Sequence, residues 1–416
     1  MKTGSHFLLG LLLVVQFVAG LPAEGRPEVN CGDTITEDTT LDADLACPPG
    51  TESAIVIGAS NITLDLGGHT LSGYAPGIGV LAIGYEGLVI RNGAIEGFQE
   101  GVFVIESNRV TVEKLAVRNL EISDPGQFIR GVTIDGSHNV VVRDMLFEFL
   151  VVAHKEAVDA YASDVAVSDI EVRGGGAGVG FSFAGACDPV NAPNTGTVTN
   201  SRFSDVYGAG FFVACGSNVR IEGNDISTTP GAGVGIQGDA PFPGAVTGLT
   251  ITNNSIHDTL IGIEFRGIVE STIANNDIFD NGYWGIAMRQ SLGCLDPQPG
   301  WECFTSTANL IADNNTWGSG IDLYHYEDSL GNSWQGNRCE TKEGAEIPEC
   351  TPPAAALTIN YASGMPGSFF TLEGANSPPD DVATITVNSQ TLGTIPTDAA
   401  ADLIFLLNTD QADPGH

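Results

Sequence analysis

The chain has 416 residues, with 51 acidic against 16 basic side chains and a formal net charge of −35. That imbalance excludes a nucleic-acid partner, because phosphate binding needs clustered Lys and Arg. It also means that a polyanion is repelled unless a cation bridges it. Four Met and seven His, scattered along the chain, do not form the soft-ligand clusters of a copper-handling protein.

Lys2, an apolar run over 7–18 with Gln16 as its one polar residue, and the small residues Ala19, Gly20 and Ala23 read as a secretory signal peptide over 1–23. A spanning helix needs about 20 apolar residues, and no second run approaches that length. The expected location is therefore secreted or cell-surface, with no transmembrane segment after cleavage. Eight cysteines suit an oxidising compartment. Their spacing suggests local staples: Cys31 with Cys47, Cys187 with Cys215, Cys294 with Cys303, and Cys339 with Cys350. No CxxC or HExxH occurs, so structural zinc has no ligand set. Calcium is the candidate metal ion, without located ligands, and no organic cofactor is implied.

Residues 24–55 form a cap, and over 56–350 one phrase repeats: a short apolar alternation, an Asn or Gly pair, then a closing buried-type residue. The closing positions are Leu71, Ile95, Val117, Phe147, Val172, Phe203, Ile226, Ile256, Ile278 and Trp317, with Cys339 as an eleventh. Successive members lie 24, 22, 30, 25, 31, 23, 30, 22, 39 and 22 residues apart. A floor near 22 with insertions fits a coil of three short strands and elastic loops. Such strands cannot bury an inner face alone and must stack on their neighbours. A leucine-rich repeat would need spaced leucines and a helical segment, and a sandwich would need longer strands.

Asn61-Ile-Thr-Leu-Asp-Leu-Gly-Gly-His-Thr-Leu71, preceded by Cys31-Gly-Asp-Thr-Ile35 and Cys47-Pro-Pro-Gly50, resembles the opening coil and cap of right-handed parallel β-helix proteins of the pectate-lyase-like type. The resemblance covers roughly residues 31 to 340 and implies an all-β fold, a right-handed parallel β-helix of about ten to eleven coils. It leaves activity open among lyases, hydrolases, epimerases, copper-maturation proteins and surface proteins.

Two residues before the closing position stand Leu115, Met145 and Ile170 in early coils and Asn224, Asn254, Asn276 and Asn315 in late ones. This predicts an apolar stack that gives way to an asparagine ladder. His69 holds the same position in the first coil. Structural roles are expected for these residues and for the sequons at Asn61, Asn253 and Asn314. Gly233-Val-Gly-Ile-Gln-Gly238 matches GxGxxG but lies in a repeated strand with no helix to follow, so it is no phosphate cradle.

The strand after each closing residue usually begins with Gly and then alternates: Val132-Thr-Ile-Asp135, Val158-Asp-Ala-Tyr161, Ile263-Glu-Phe-Arg266, Ile286-Ala-Met-Arg289 and Ile321-Asp-Leu-Tyr324. With the first and third residues inward, Glu264, Arg266, Arg289, Asp322 and Tyr324 share one exterior face. Glu264 and Asp322, two coils apart, are expected roughly 10 Å from each other, a separation that suits paired-carboxylate glycoside hydrolysis. Arg266 and Arg289 suit a lyase instead, and His325 is a further acid or base candidate. The candidate catalytic set is thus Glu264, Arg266, Arg289, Asp322 and His325. Trp301 and Phe304, on the stapled 290–305 insertion, and Tyr324 are candidate sugar-binding rings. A charge-compensated ladder without ligand is the bland alternative. His154, Lys155, Asp159 and Tyr161 form a weaker second constellation, read as a solvated loop and strand.

Residues 351–356 form a Pro/Ala linker. Beyond it, 357–416 shows antiparallel-type alternation at 357–360, 368–372, 384–387 and 403–406, expected to form a small, incomplete immunoglobulin-like β-sandwich. The function expected is binding of a polysaccharide or cell-surface glycan, with cleavage by a glycoside hydrolase or polysaccharide lyase mechanism. The alternative is a noncatalytic adhesive scaffold. A monomer is assumed.

Overall fold

The structure is a computed structural model that describes residues 29–121, 128–149, 155–182, 194–228, 232–291, 294 and 302–351, together with the backbone of five strands between 356 and 408. The signal peptide, His154, Cys187 and Trp301 lie outside the described residues.

Thirteen parallel strands stack in chain order into one long sheet: Asp33–Ile35, Ser53–Ile57, Ile78–Ile83, Glu100–Ile105, Ile129–Asp135, Lys155–Tyr161, Ala177–Ser182, Ala209–Val213, Val234–Asp239, Ile261–Arg266, Trp284–Arg289, Ile321–His325 and Lys342–Glu343. The remaining coil strands pair with their counterparts one coil away and close the other sides around a single core. This is the all-β parallel β-helix that the repeat predicts.

In-register stacking makes the core a set of columns. One runs Ile55, Val80, Val102, Val132, Val158, Val179, Phe211, Ile236, Ile263, Ile286 and Leu323, all buried. Each such side chain contributes about 1.5–3 kcal/mol relative to exposure. The closing residues form a second column, paired from Leu71 through Ile278 as the sequence alignment has them.

Trp317 is the exception. Thr316 pairs with Ile278 and points inward, fully buried, with Oγ1 donating to the Arg338 carbonyl at 2.7 Å. Trp317 instead pairs with Phe279 and stacks on its ring at 4.7 Å, with His257 stacked on the other side at 5.0 Å. The threonine can be inside because its hydroxyl is satisfied there. The ladder residue accordingly is Asn314, not Asn315.

Asn224, Asn254, Asn276, Asn314 and Asn337 form that ladder, each side-chain oxygen accepting from the backbone N–H of the preceding member. Ser201 links it to the apolar stack, because Ile170 donates to Ser201 Oγ and Ser201 donates to Asn224 Oδ1. A second ladder, which the sequence reading misses, runs at another turn through Ser107, Ser137, Ser163 and Asn194, and later through Ser271, Asn309 and Asn332. These amides and hydroxyls satisfy turn backbone that stacking takes away from water.

At the corner leading into the long sheet, glycines stack: a Cβ on Gly262 would lie 2.5 Å from the Gly285 carbonyl oxygen, and one on Gly285 would lie 2.5 Å from that of Asp322. Disulfides join Cys31 to Cys47, Cys294 to Cys303 and Cys339 to Cys350. Cys215 is also disulfide-bonded. The C-terminal strands Ala356–Ile359, Phe369–Ala375 and Leu403–Asn408 form one antiparallel sheet, and Val382–Val387 pairs with Gln390–Pro396. Among the described residues no pairing joins these two sheets.

Asn254→Ala removes a donor to the Ile221 carbonyl and an acceptor for Asn224 in the dry interior. Denaturant unfolding should show a loss of about 2–5 kcal/mol, since each stranded buried group costs about 1–3 kcal/mol. Asn253→Ala, next door and exposed, should cost far less.

Candidate functional site

The register that aligns the core also aligns what points outward from the long sheet. One outward column runs Thr133, Asp159, Gly180, Phe212, Gln237, Glu264, Ala287 and Tyr324. A second, formed by the residue before the corner position, runs Glu100, Arg130, Glu156, Ala177, Ala209, Val234, Ile261, Trp284 and Ile321. A third places Asp135 beside Tyr161, and further along Asp239 beside Arg266 beside Arg289. Two polar clusters therefore share one face.

The downstream cluster contains most of the expected site. Glu264 points outward but is fully buried, because Arg266 approaches one oxygen at 2.8 Å and Arg289 donates to the other. Arg266 also reaches Asp239 at 3.4 Å, and the Arg289 guanidinium lies 4.8 Å over the Trp284 ring. The Arg266 and Arg289 side chains keep about a fifth of their surface, 18% and 20%, in solvent. Trp284 stacks on Tyr324 at 4.7 Å and touches Tyr283, which is exposed. The result is one exposed ring, Tyr283, and one half-buried ring, Tyr324, packed on the buried Trp284 and flanked by two held cations.

Asp322 is not part of it. The sequence reading pairs Ile321 with Ile263 and Ile286, misled by the Gly-Ile dipeptide that precedes each alternation. The structure pairs Leu323 with them, which puts Asp322 at the corner position occupied by Gly285 one coil earlier. Its buried carboxylate accepts from the backbone N–H groups of Ser319, Glu340 and Thr341 at 3.1, 2.8 and 3.0 Å. It ties one coil to the next, and the expected pairing with Glu264 does not form.

His325 aligns with inward-facing Met288 and is buried, with Nε2 near the Ser329 carbonyl and Asn332 and its ring edge-on to Trp334. Phe304 also differs from expectation. It packs into the space left by Gly267, where a Cβ would come within 2.2 Å of its ring, so it closes the disulfide-stapled insertion onto the core instead of presenting a platform.

The upstream cluster was read as solvated and is the reverse. Asp159 is 1% exposed. Arg130 Nε lies 2.9 Å from Asp159 and 3.2 Å from Glu156, while Nη1 lies 3.3 Å from Glu100. Tyr161 donates its hydroxyl to Asp159 and Thr133 donates to Glu100. The rings of Phe128 and Tyr161 stand 5.1 and 5.6 Å from the guanidinium carbon. Lys155 turns away: it is buried and donates to the Leu120 carbonyl at 3.0 Å, and burial lowers its pKa.

Three carboxylates around one guanidinium cannot all be ionised cheaply. Burial, then the charge of Asp159 and a hydrogen bond with it, hold Glu156 well above the usual carboxylate range. Burial also raises Glu100, opposed by the Thr133 hydroxyl and by Arg130. The Tyr161 phenol is pushed up by burial and by Asp159. Among the described residues no group of three or more His, Cys, Asp or Glu is arranged to hold a metal ion. Arg130, Glu100, Glu156 and Trp284 are absent from the sequence reading. Their signal was available: each directly precedes the repeated Gly (or Ala157) in the strand phrase.

The architecture defines a right-handed parallel β-helix repeat protein. The family described as a right handed beta helix region matches residues 189–345. Among solved structures, PfbA, a surface adhesin of Streptococcus pneumoniae, aligns with a TM-score of 0.51 at 12% identity over 85% of this chain and 91% of its own. A mutant of the periplasmic alginate epimerase AlgG aligns at 0.45 and 12% identity, over 72% of this chain and 78% of that one. A hyperthermoactive exopolygalacturonase from Thermotoga maritima aligns at 0.41 and 11% identity, over 73% and 84%. At such identities the likeness is one of fold. No curated protein sequence matches the chain.

Burial raises the Asp239 carboxyl to about 6. A raised acid binds its proton more tightly folded than unfolded, so its contribution to stability is greatest at low pH and falls as pH rises from about 4 to about 6. Asp239→Asn should remove that slope, a difference of about 2–3 kcal/mol across the window. Denaturant midpoints of both proteins between pH 4 and 7 check this.

Proposed function

We propose that this protein is an extracytoplasmic polysaccharide-binding β-helix, secreted or held at a cell surface, whose ligand lies along the outward face of the long sheet. The observation that supports this reading is the exposed Tyr283 ring and the half-buried Tyr324 ring, both seated on the buried Trp284, beside the guanidiniums of Arg266 and Arg289. An aromatic face offers area to the apolar side of a sugar ring, and held guanidiniums donate in fixed geometry to hydroxyl or carboxylate oxygens. Glu264, enclosed by both arginines, acts here by fixing them.

The ligand is an extended chain. Asp159 and Glu264 stand in the same column four strands apart, so the two clusters are separated by roughly 19 Å. Between them the floor is low at Gly180, Ala177 and Ala209 and then rises at Phe212, Val234 and Gln237. A monosaccharide reaches one cluster, whereas a polymer reaches both. Three disulfides are consistent with an extracytoplasmic setting.

The test is a binding panel of polygalacturonate, alginate, xylan and dextran, each with calcium and with chelator, read by affinity electrophoresis and calorimetry. The wild type should bind at least one polymer but not its monosaccharide. Trp284→Ala and Arg289→Ala should each weaken that binding at least about tenfold, as a loss of about 1.4 kcal/mol or more per anchor implies. A wild type that binds none of the panel, or variants that bind unchanged, would sink the reading. Loss on chelation would assign calcium a bridging role. Binding without new chain ends would favour the adhesive scaffold.

A further inference from the structure

We propose that Glu156 and Glu100 are the proton donor and the base of a hydrolytic centre that cleaves a glycosidic bond of a polysaccharide laid on the upstream half of this face. The proposal rests on the polysaccharide-binding reading and adds chemistry to it.

Both residues occupy the outward column that precedes the corner, two strands apart with Arg130 between them. Their backbones are thus roughly 10 Å apart. Contacts of 3.3 and 3.2 Å to different nitrogens of the one guanidinium keep the two carboxyl groups no farther apart than the about 9.5 Å upper limit for inverting hydrolysis. Neither side chain is fully buried: Glu100 keeps 13% and Glu156 14% of its side-chain surface in solvent.

Their surroundings assign different roles. Both accept from Arg130, but Glu100 also receives the Thr133 hydroxyl, a further donor that favours it as an acceptor. Glu156 faces Asp159, which is itself fixed by Arg130 and by the Tyr161 hydroxyl. That neighbour favours the protonated form of Glu156. Two carboxyl groups with unequal hold on a proton form an acid and base pair.

The step balances with water as the only co-reactant. Glu156 gives its proton to the glycosidic oxygen, and the bond from that oxygen to the anomeric carbon breaks with its electron pair going to the oxygen. Water adds to the anomeric carbon from the opposite side and gives a proton to Glu100. Solvent exchange returns Glu100 to carboxylate and Glu156 to acid. Arg130 lies between the two groups throughout and compensates whichever is ionised. Asp159 is a positioning residue that acts through Glu156.

The test uses the full chain, the polysaccharide panel and p-nitrophenyl glycosides of oligosaccharides from whichever polymer is cleaved. Glu156→Gln should lower kcat on the polymer at least about 10²-fold while sparing the p-nitrophenyl substrate, whose leaving group needs no proton. Glu100→Gln should lose activity on both. Proton NMR of the first product should show inverted anomeric configuration. Asp159→Asn should move the alkaline limb of the pH–rate profile to lower pH, because a neutral neighbour no longer holds the proton on Glu156. Unchanged polymer binding by Glu156→Gln reports that the variant is folded. If it does not fold, the wild-type anomer and leaving-group dependence decide.

Unsaturated products, retained configuration, or a Glu156→Gln loss independent of the leaving group overturn the proposal. A wild type that binds a polymer yet cleaves none overturns it and leaves the binding reading standing. A wild type that binds no polymer removes both.

Discussion

In this molecule every coil is completed only by the next one. The backbone donors and acceptors of the long sheet are satisfied across coils, strand to strand, so equivalent residues must stand one above another at the spacing of a parallel sheet. The same demand governs the turns, where space and hydrogen bonding leave few options. Where one corner runs against the next, glycine or a self-satisfied side chain fits. Where a turn is dry, a serine or asparagine answers its backbone. Insertions escape the demand, which is why the unit varies from 22 to 39 residues while its columns stay aligned.

Columns on the outside inherit the alignment without its chemistry, and different faces use it differently. Away from the long sheet, opposite charges meet across coils, as in Arg91 with Asp65, Arg118 with Glu96 and Arg173 with Glu148. Those pairs are well exposed and each contributes about 0–1 kcal/mol. They disperse part of a heavily acidic surface. On the long sheet the acidic groups are instead buried against neighbours that alter their proton affinity. Burying carboxylates is costly unless they are paired, and no backbone need of the fold explains Glu100, Glu156 or Glu264. That contrast is the physical reason for looking to this face for function.

The sequence was legible wherever period 2 and the repeat acted together. Nine closing residues, the apolar stack, the ladder asparagines Asn224, Asn254 and Asn276, and the outward direction of Glu264, Arg266 and Arg289 follow from the repeat and its alternation. It failed where alternation is interrupted. Asp322 sits at a corner where the chain bends, so counting by twos through Ile321 gave it a neighbour it does not have. Trp317 was preferred over Thr316 because apolarity was taken as the sign of an inward position, although a hydroxyl with a carbonyl partner is equally at home there. Asp159 and Tyr161 of the Arg130 cluster are visible in the alternation, but Glu100, Arg130 and Glu156 are not. These three precede the corner position, outside the strand as the alternation defines it, and only the three-dimensional register joins them into one column.

The two clusters balance charge differently within one architecture. Each sets carboxylates against guanidinium on adjacent strands, but the stoichiometry differs. Around Glu264 two arginines face two carboxylates, so charge is balanced and both guanidiniums remain available at the surface. Around Arg130 one guanidinium faces three carboxylates, so the cluster is balanced only by retaining protons. A balanced cluster is a fixed donor array, suited to gripping oxygen atoms. A cluster short of positive charge retains protons in a partly dry place. Both arise by exchanging residues in columns whose positions the core has already set, with no change to the coil beneath.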